Sequence, residues 1–537
     1  MTSTKQAWIS IEDILEEICD VAKEKAPQRI GILGAGMAGL AAAYELKKLG
    51  YEVEILEGSD RVGGRVWTKR FEDGQYGEYG AMRIPGTHDY TRYYIEKVGL
   101  KLGRFITSNA KGFYDVRGVI SRIYQAIDKL YPQYKNLRKI DLELASEIGE
   151  NGYPKGVGAI LGNLIEPILK NLSTEDKKAL YDGKLTDKLK KLDAIALRLF
   201  LGQERPECDG ATDLIGELTG LEGLWEGTII EELRGEIEER GNGLQEIIGG
   251  MDRLPNCLAD KEIPNFGAVR QDIQFGNEIS SITTKPNEVE VLVGKDKKLR
   301  RYDYVLCTIP FSVLRRLELN NFSNEKMLAI RNITYASSTK VLLECKERFW
   351  EDKYGIVGGA SISASISRQT YYPSDNSENY LKPWEEKNVK SQDKSLYTIS
   401  NDVFFEIADS KKCQEPGVLL GSYTWGQDAR RLGVLSQKER SQTVINSIAK
   451  FHPEIASQGQ VRDYASMFWD ENKWSAGAFT HFAPSDTDWY YRSGLKPEGR
   501  LYFAGEHLSP APGWIQGAIF SSLQAVFEMV KSFPSKC

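Results

Sequence analysis

The residues of this chain best suited to chemistry begin with a glycine turn, Gly34-Ala35-Gly36-Met37-Ala38-Gly39. Glycines at this spacing, GxGxxG, leave free backbone N–H groups at the positive end of the following helix, where a diphosphate can rest. The first glycine permits the tight turn, the second lets the main chain reach the phosphates, and the third packs helix on strand. Glu57 ends the next apolar run, YEVEILE, where a carboxylate can accept hydrogen bonds from ribose hydroxyls. Directly after it, Asp60-Arg61-Val62-Gly63-Gly64-Arg65 sets two arginines around a glycine pair. An NAD site has no need of that segment. Arginines that approach a diphosphate, and glycines that let the chain pass close to a flavin ring, point to FAD. Lys340, among the apolar residues of SSTKVLLEC, reads by itself as an edge-strand lysine reaching solvent. Arg83, in GAMRIP, reads by itself as an ion-pair partner for Glu78 or a neighbour.

The elements that must position these groups can be read around them. Residues 29 to 57 give strand, turn, helix and strand: RIGILG, the glycine turn, an Ala/Leu-rich run to Lys48, then YEVEILE. From about Tyr124 to Arg240 the pattern is mostly helical. Ile279 to Val293 alternates apolar and polar around a turn-forming KPNE, a hairpin signal. RYDYVLCTI, from Arg301 to Ile309, suits a buried strand, and β-rich segments recur from Tyr335 to Tyr423. The chain closes with the strand RLYFAGE and a helix beginning near Trp514. Strand–helix alternation at both ends, with other material between, implies a nucleotide domain assembled from separated segments.

The bulk numbers limit the alternatives. At 537 residues the chain exceeds what one core supports, so two or three domains are expected. A net charge of -6 argues against nucleic acid or an anionic membrane as the main partner. Seven scattered cysteines, with no CxxC pair and no Cys/His cluster, indicate neither a metal site nor a disulfide framework. They fit free thiols in a reducing compartment. The first residues carry acids through their apolar positions, unlike a signal peptide. Ile11, Ile14, Leu15, Ile18, Val21 and Ala22 recur at helical spacing instead. No run approaches the roughly 20 apolar residues that cross a bilayer, and a cytoplasmic location is the default expectation.

Seven ordered blocks carry a resemblance: IGILGAGMAGLAAAYEL, ILEGSDRVGGRV, YGEYGAMRIP, EIIGGMDRLP, SSTKVLLEC, GSYTWGQDA and YFAGEHLSPAPGWIQGAI. Together they resemble the FAD-dependent amine oxidase superfamily, and within it the L-amino acid oxidases, over nearly the whole chain. The fold this implies is α/β within a chain that is α+β overall. A discontinuous Rossmann-like FAD-binding domain would comprise residues 29–65, 241–330 and 485–537. Residues 66–123 and 331–484 would form a mixed-sheet substrate domain, and 124–240 an inserted helical domain. Residues 1–28 would be an N-terminal helix docked on the body. The helical stretch matches poorly, so no residue role is carried over there.

The resemblance implies that FAD is held first by Gly34, Gly36, Met37, Ala38, Gly39, Glu57, Gly58, Arg61, Gly64 and Arg65. Gly80, Ala81, Met82, Arg83 and Ile279 would follow, with Gly505, Glu506, Gly513, Trp514 and Ile515 completing the set. The final helix would point its N-terminus at the flavin, where its dipole stabilises negative charge on reduction. Lys340 would hold a water against flavin N5 and assist reoxidation by O₂. Arg83 would clamp a substrate carboxylate, which a rigid guanidinium fork matches with two parallel hydrogen bonds. Tyr423 would be the second carboxylate contact. Phe479 and Trp514 would line the substrate, Gly513 would offer its carbonyl to the amino group, and Trp425 and Trp469 are plausible walls. PAPGWIQG lacks the cysteine to which monoamine oxidases anchor flavin, so noncovalent FAD is expected. None of the four histidines lies in the helical stretch, unlike the venom enzymes.

The implied activity is oxidative deamination of L-α-amino acids, by hydride transfer from Cα to flavin N5. It gives 2-oxo acids, ammonia and H₂O₂. An amino acid 2-monooxygenase yielding amide and CO₂ shares the scaffold, and an amine or polyamine oxidase is a further alternative. The partners implied are an L-amino acid and O₂, with no nucleic acid and no membrane, and a homodimer or higher homo-oligomer is possible. The acid-rich stretch from Glu204 to Glu239 reads as a solvated face rather than a lure for basic substrates.

Overall fold

The computed structural model describes residues 9–149, 152–204, 209–239, 243–377 and 415–536. Its organising element is a five-stranded parallel sheet in the order Ile273–Gln274, Glu52–Leu56, Arg29–Leu33, Tyr304–Cys307, Leu501–Phe503. The strand Arg29–Leu33 leads through the glycine turn into the helix Met37–Lys48, and Glu52–Leu56 returns parallel to it. Small residues make that helix a packing device. Nearly all of its side chains are buried, and Ser522 of the C-terminal helix Ile515–Lys531 donates to the Ala38 carbonyl at 2.6 Å. The N-terminal helix Ile11–Ala22 buries Ile11, Ile14 and Ile18 in the same core. Ser10 caps it by accepting from the Asp13 N–H, and Lys25 ties its end to the Lys531 and Phe533 carbonyls.

The hairpin read from Ile279 to Val293 forms as strands Ile279–Thr284 and Val289–Val293, in a four-stranded sheet with Lys298–Tyr302 and Glu318–Asn320. RYDYVLCTI is not one strand. Asp303 accepts from the Arg29 N–H and splits it, with Lys298–Tyr302 joining the outer sheet and Tyr304–Cys307 the parallel one.

A seven-stranded mixed sheet runs Val461–Phe468, Ser338–Cys345, Gly417–Trp425, Gln369–Tyr371, Ala360–Ser363, Phe113–Val116, Val119–Arg122. Every residue of Ser338–Cys345 is buried, and the strand has a partner on each side. Lys340, which by residue type alone reads as an edge-strand lysine, a reading the resemblance sets aside, is therefore interior. The described residues between 126 and 239 are mainly helical, and their buried apolar side chains form one core with Tyr114, Val116, Ala360 and Ile362 of that sheet. Leu244–Ile247 pairs with Ile84–Pro85 and Leu102–Phe105, so it joins segments that the sequence reading assigned to different domains.

The acid-rich stretch is not a uniform solvated face. Glu217 pairs with Arg117, Glu222 with Arg368 and Glu231 with Arg234. Residues 205–208 of it lie outside the described residues. Among the described residues, Cys19, Cys257, Cys307 and Cys345 are free thiols, and no group of side chains could hold a metal ion. No described helix is long and apolar enough to cross a membrane.

Candidate functional site

The sequence-predicted residues converge on one cavity of about 680 Å³ that runs from the glycine turn to the face of the seven-stranded sheet. At one end the turn is built as its spacing requires. Gly34 has φ +106°, and a Cβ at Gly39 would stand 2.0 Å from the Gly34 carbonyl oxygen. Gly39 packs helix on strand and does not line the cavity; all the other proposed FAD and substrate residues do. A Cβ at Gly36 would meet no protein atom within 4 Å, so this glycine faces open space at the head of a helix with no side-chain cap. Free N–H groups beside an open cradle are what a diphosphate needs.

Glu57 has a second duty. Its Oε2 accepts from the Ala35 N–H at 2.7 Å, and its Oε1 from the Ser59 N–H and hydroxyl at 2.8 and 2.7 Å. It fixes the turn, and Oε2, with a single donor, retains a lone pair for a ribose hydroxyl. The arginines expected to approach the diphosphate are held by the protein. Arg61 stacks 3.9 Å over Trp67 and donates to the Val62 and Gly64 carbonyls; burial lowers its pKa to about 10. Arg65 donates to Glu506 Oε1 at 2.6 Å. Glu506 also accepts from the N–H groups of Thr480 and Gly513. Burial pushes its carboxyl upward, but Arg65 and these donors hold it below the ordinary value. That network locks the turn Gly513-Trp514, with Gly513 at φ +80°, which opens the C-terminal helix. The helix N-terminus lies at the cavity wall and presents partial positive charge to it. These features fit a flavin dinucleotide: an open cradle, a carboxylate at ribose distance in sequence, and a cationic helix end.

At the other end stand Arg83, Lys340 and Tyr423. Lys340 and Tyr423 are paired in register on adjacent strands, and Lys340 Nζ lies 4.6 Å over the Tyr423 ring. The ammonium donates to the Gly80 carbonyl at 2.7 Å and to Met82 Sδ at 3.4 Å. Burial lowers its pKa to about 7, opposed by Glu78 and reinforced by Arg83. Burial also raises the Tyr423 phenol. Arg83 lies 5.6 Å over the Trp514 ring, which His88 meets edge-on at 5.1 Å. Glu78 takes its hydrogen bonds from Thr68 and Met251. Phe479 packs 3.5 Å from where a Gly513 Cβ would stand. Trp425 and Trp469 both line the cavity, Trp425 with its ring 5.0 Å from that of Tyr423 and Trp469 bonded to the Tyr79 carbonyl.

Sequence reasoning missed several wall residues. Thr219, Leu221, Leu224 and Glu232 come from the helical segment, and Gln369 and Tyr371 from the strand beside Tyr423. No local pattern marks them. Only the sheet pairing and the docking of the 3₁₀ turn Leu221–Leu224 against Trp425 bring them in.

Comparison with known proteins agrees with this geometry. The family of flavin containing amine oxidoreductases matches residues 37–530. The flavin-dependent L-tryptophan oxidase RebO of Lentzea aerocolonigenes is 35% identical over 523 residues, which cover 93% of this chain and 97% of that protein. The L-amino-acid oxidase of Vipera ammodytes ammodytes is 30% identical over 526 residues, 95% of each chain. Among solved structures, wild-type putrescine oxidase bound to putrescine matches with a TM-score of 0.67 at 16% identity, over 94% of this chain and 99% of that one. That last likeness concerns the fold alone.

Proposed function

The chain belongs to the flavin containing amine oxidoreductase family, with FAD as its cofactor, and from that premise we propose that it oxidises L-α-amino acids to 2-oxo acids, ammonia and H₂O₂. One observation carries the reading: a guanidinium and a phenol, Arg83 and Tyr423, line one cavity with the buried amine of Lys340. A carboxylate bound there meets two donors of the right kind, one with a planar fork. An amine without a carboxylate has no group that such a fork matches.

Bound FAD supplies the two-electron acceptor. The protein's part is orientation and charge. Arg83 and Tyr423 fix the carboxylate and so the direction of the Cα–H and amino groups. Lys340, held by Gly80 and Met82, keeps one N–H for a water in the cavity. Trp425, Tyr371, Leu221 and Leu224 give the side-chain end an apolar and aromatic wall, suited to large apolar or aromatic substrates. The FAD is held noncovalently, since no cysteine stands in the segment from Pro510 to Gly517.

The test is a peroxide-coupled screen of the twenty L-amino acids with D-enantiomers as controls, followed by mass spectrometry of products. A 2-oxo acid formed one-for-one with peroxide is the expected result. Amide plus CO₂ would make the enzyme a 2-monooxygenase, and turnover confined to amines without a carboxylate would end the proposal.

A further inference from the structure

Beside the catalytic cavity lies a second, smaller one of about 90 Å³. Met82 and Tyr371 form the wall it shares with the catalytic cavity. Glu78, Glu246 and Asp375 line its far side. The strand that carries Lys340 into the main cavity carries Leu342, two residues on, into the small one. A space of this size holds about two or three waters, and these walls give them polar partners. Three of its lining residues are carboxylates, and one of them, Asp375, is at the surface, paired with Arg348.

A substrate amino group is an ammonium in neutral water but must react as a free amine. Its proton therefore has to leave the site before the amine can react. We propose that the small cavity is the proton outlet of the catalytic cavity, with Lys340 passing a proton to Glu78 and Glu246 handing it on toward Asp375. The inference rests on the amino acid oxidase reading above. In the first step an Nζ–H bond of Lys340 breaks and an O–H bond forms on Glu78 through cavity water. The neutral Lys340 amine then takes the proton of the substrate ammonium. Glu78 discharges to Glu246 and so to bulk water, and no electrons move.

The surroundings suit transfer in both directions. Glu78 is faced by Lys340 from its strand, by Asp252 at the head of the helix Arg253–Asp260, and by Glu246 of Leu244–Ile247. Thr68 and the Met251 N–H bond its carboxylate. Glu246 is faced by Asp375 and Glu78, and Tyr76 borders the same space. Burial raises Glu78 to about 7 and Glu246 to about 8, while Lys340 falls to about 7. Burial thus shifts the amine down and the carboxyls up, toward one another, which favours proton transfer between them.

The holoenzyme decides the matter through Glu78→Gln and Glu246→Gln, each followed by anaerobic stopped-flow reduction from pH 6.5 to 10. Glutamine keeps the hydrogen bonds from Thr68 and Met251 but cannot take a proton. At pH 7 the expected loss in reduction rate is at least tenfold for Glu78→Gln and severalfold for Glu246→Gln. Near pH 10, where the amino acid arrives already as free amine, both variants should return to within about twofold of the parent. A loss equal at all pH values, or none, would overturn the outlet. As a readout free of turnover, mixing with α-methyl-L-phenylalanine, which has no Cα–H, should release a proton to an indicator dye. That release should be more than tenfold slower in Glu78→Gln, and equal rates would overturn the assignment. If Glu78→Gln does not fold, Glu246→Gln carries the same test. An enzyme that oxidises no amino acid defeats the parent reading instead, and the two failures are distinct.

Discussion

Replacing Gly36 by alanine separates the cost of holding the fold from the cost of holding the cofactor. Gly36 has φ -72°, which alanine adopts freely, and its added Cβ meets no protein atom within 4 Å. The apoprotein should therefore change by no more than about 0.5 kcal/mol. The same methyl stands in the open cradle where a diphosphate would touch the main chain. A hydrogen bond to a charged group contributes about 1.5–3 kcal/mol. Pushing the phosphates away from one or two N–H groups thus costs roughly 2–5 kcal/mol, or about 30- to several thousand-fold in FAD affinity. Gly39→Ala is the control, because its Cβ would lie 2.0 Å from the Gly34 carbonyl oxygen and the backbone itself must shift. That variant should lose apoprotein stability and FAD together. The assay is thermal unfolding of FAD-stripped protein alongside fluorescence titration with FAD. Gly36→Ala with parental FAD affinity, or with an apoprotein as unstable as Gly39→Ala, would refute the reasoning.

Three further outcomes follow from the site. Arg83→Met should lower kcat/KM for amino acids by about 10²–10³, the loss of roughly 3–4 kcal/mol from a charge-assisted pair, and an unchanged ratio in steady-state kinetics would count against the carboxylate clamp. Glu506 is held below its ordinary pKa in the fold, so the unfolded chain binds more protons there in acid. Its stabilisation is present above the unfolded value near 4.3 and is lost as pH falls through the folded one. Melting curves from pH 3 to 7 should show a shallower acid loss in Glu506→Gln. Arg65→Met at pH 7, by stranding a buried carboxylate, should cost about 3–5 kcal/mol.

What was legible in the sequence was what is local. The glycine turn, Glu57 and the segment through Arg65 are contiguous, and their geometry follows from spacing alone. The hairpin around KPNE was equally readable, since its turn and alternation sit in one stretch. Lys340 was not, because a lysine among apolar residues looks the same in an edge strand and an interior one. Only the pairing of its strand with Gly417–Trp425 and Val461–Phe468 distinguishes them. Arg61 and Arg65 both line the cavity, but their partners Trp67 and Glu506 depend on tertiary packing, most plainly for Arg65 and Glu506, 441 positions apart in the chain. Glu78 and Glu246 face one space although the chain between them includes the entire helical segment. Asp303 shows the converse: a single side chain bonding the Arg29 N–H divides what looked like one apolar run between two sheets.

The order of strands in the parallel sheet also governs the protein's birth. Arg29–Leu33 leaves the ribosome early, yet its neighbour Tyr304–Cys307 comes far later and Leu501–Phe503 nearly last. At about 5–20 residues per second, the first strand waits roughly half a minute to a minute and a half for the sheet to be completed. Over that interval the apolar helix Met37–Lys48 lacks the C-terminal helix that covers it. A nascent chain in this condition needs sheltering from its own kind, and slower translation lengthens the exposure. The cavity itself, lined by both Gly36 and Gly513, cannot form before both segments have emerged.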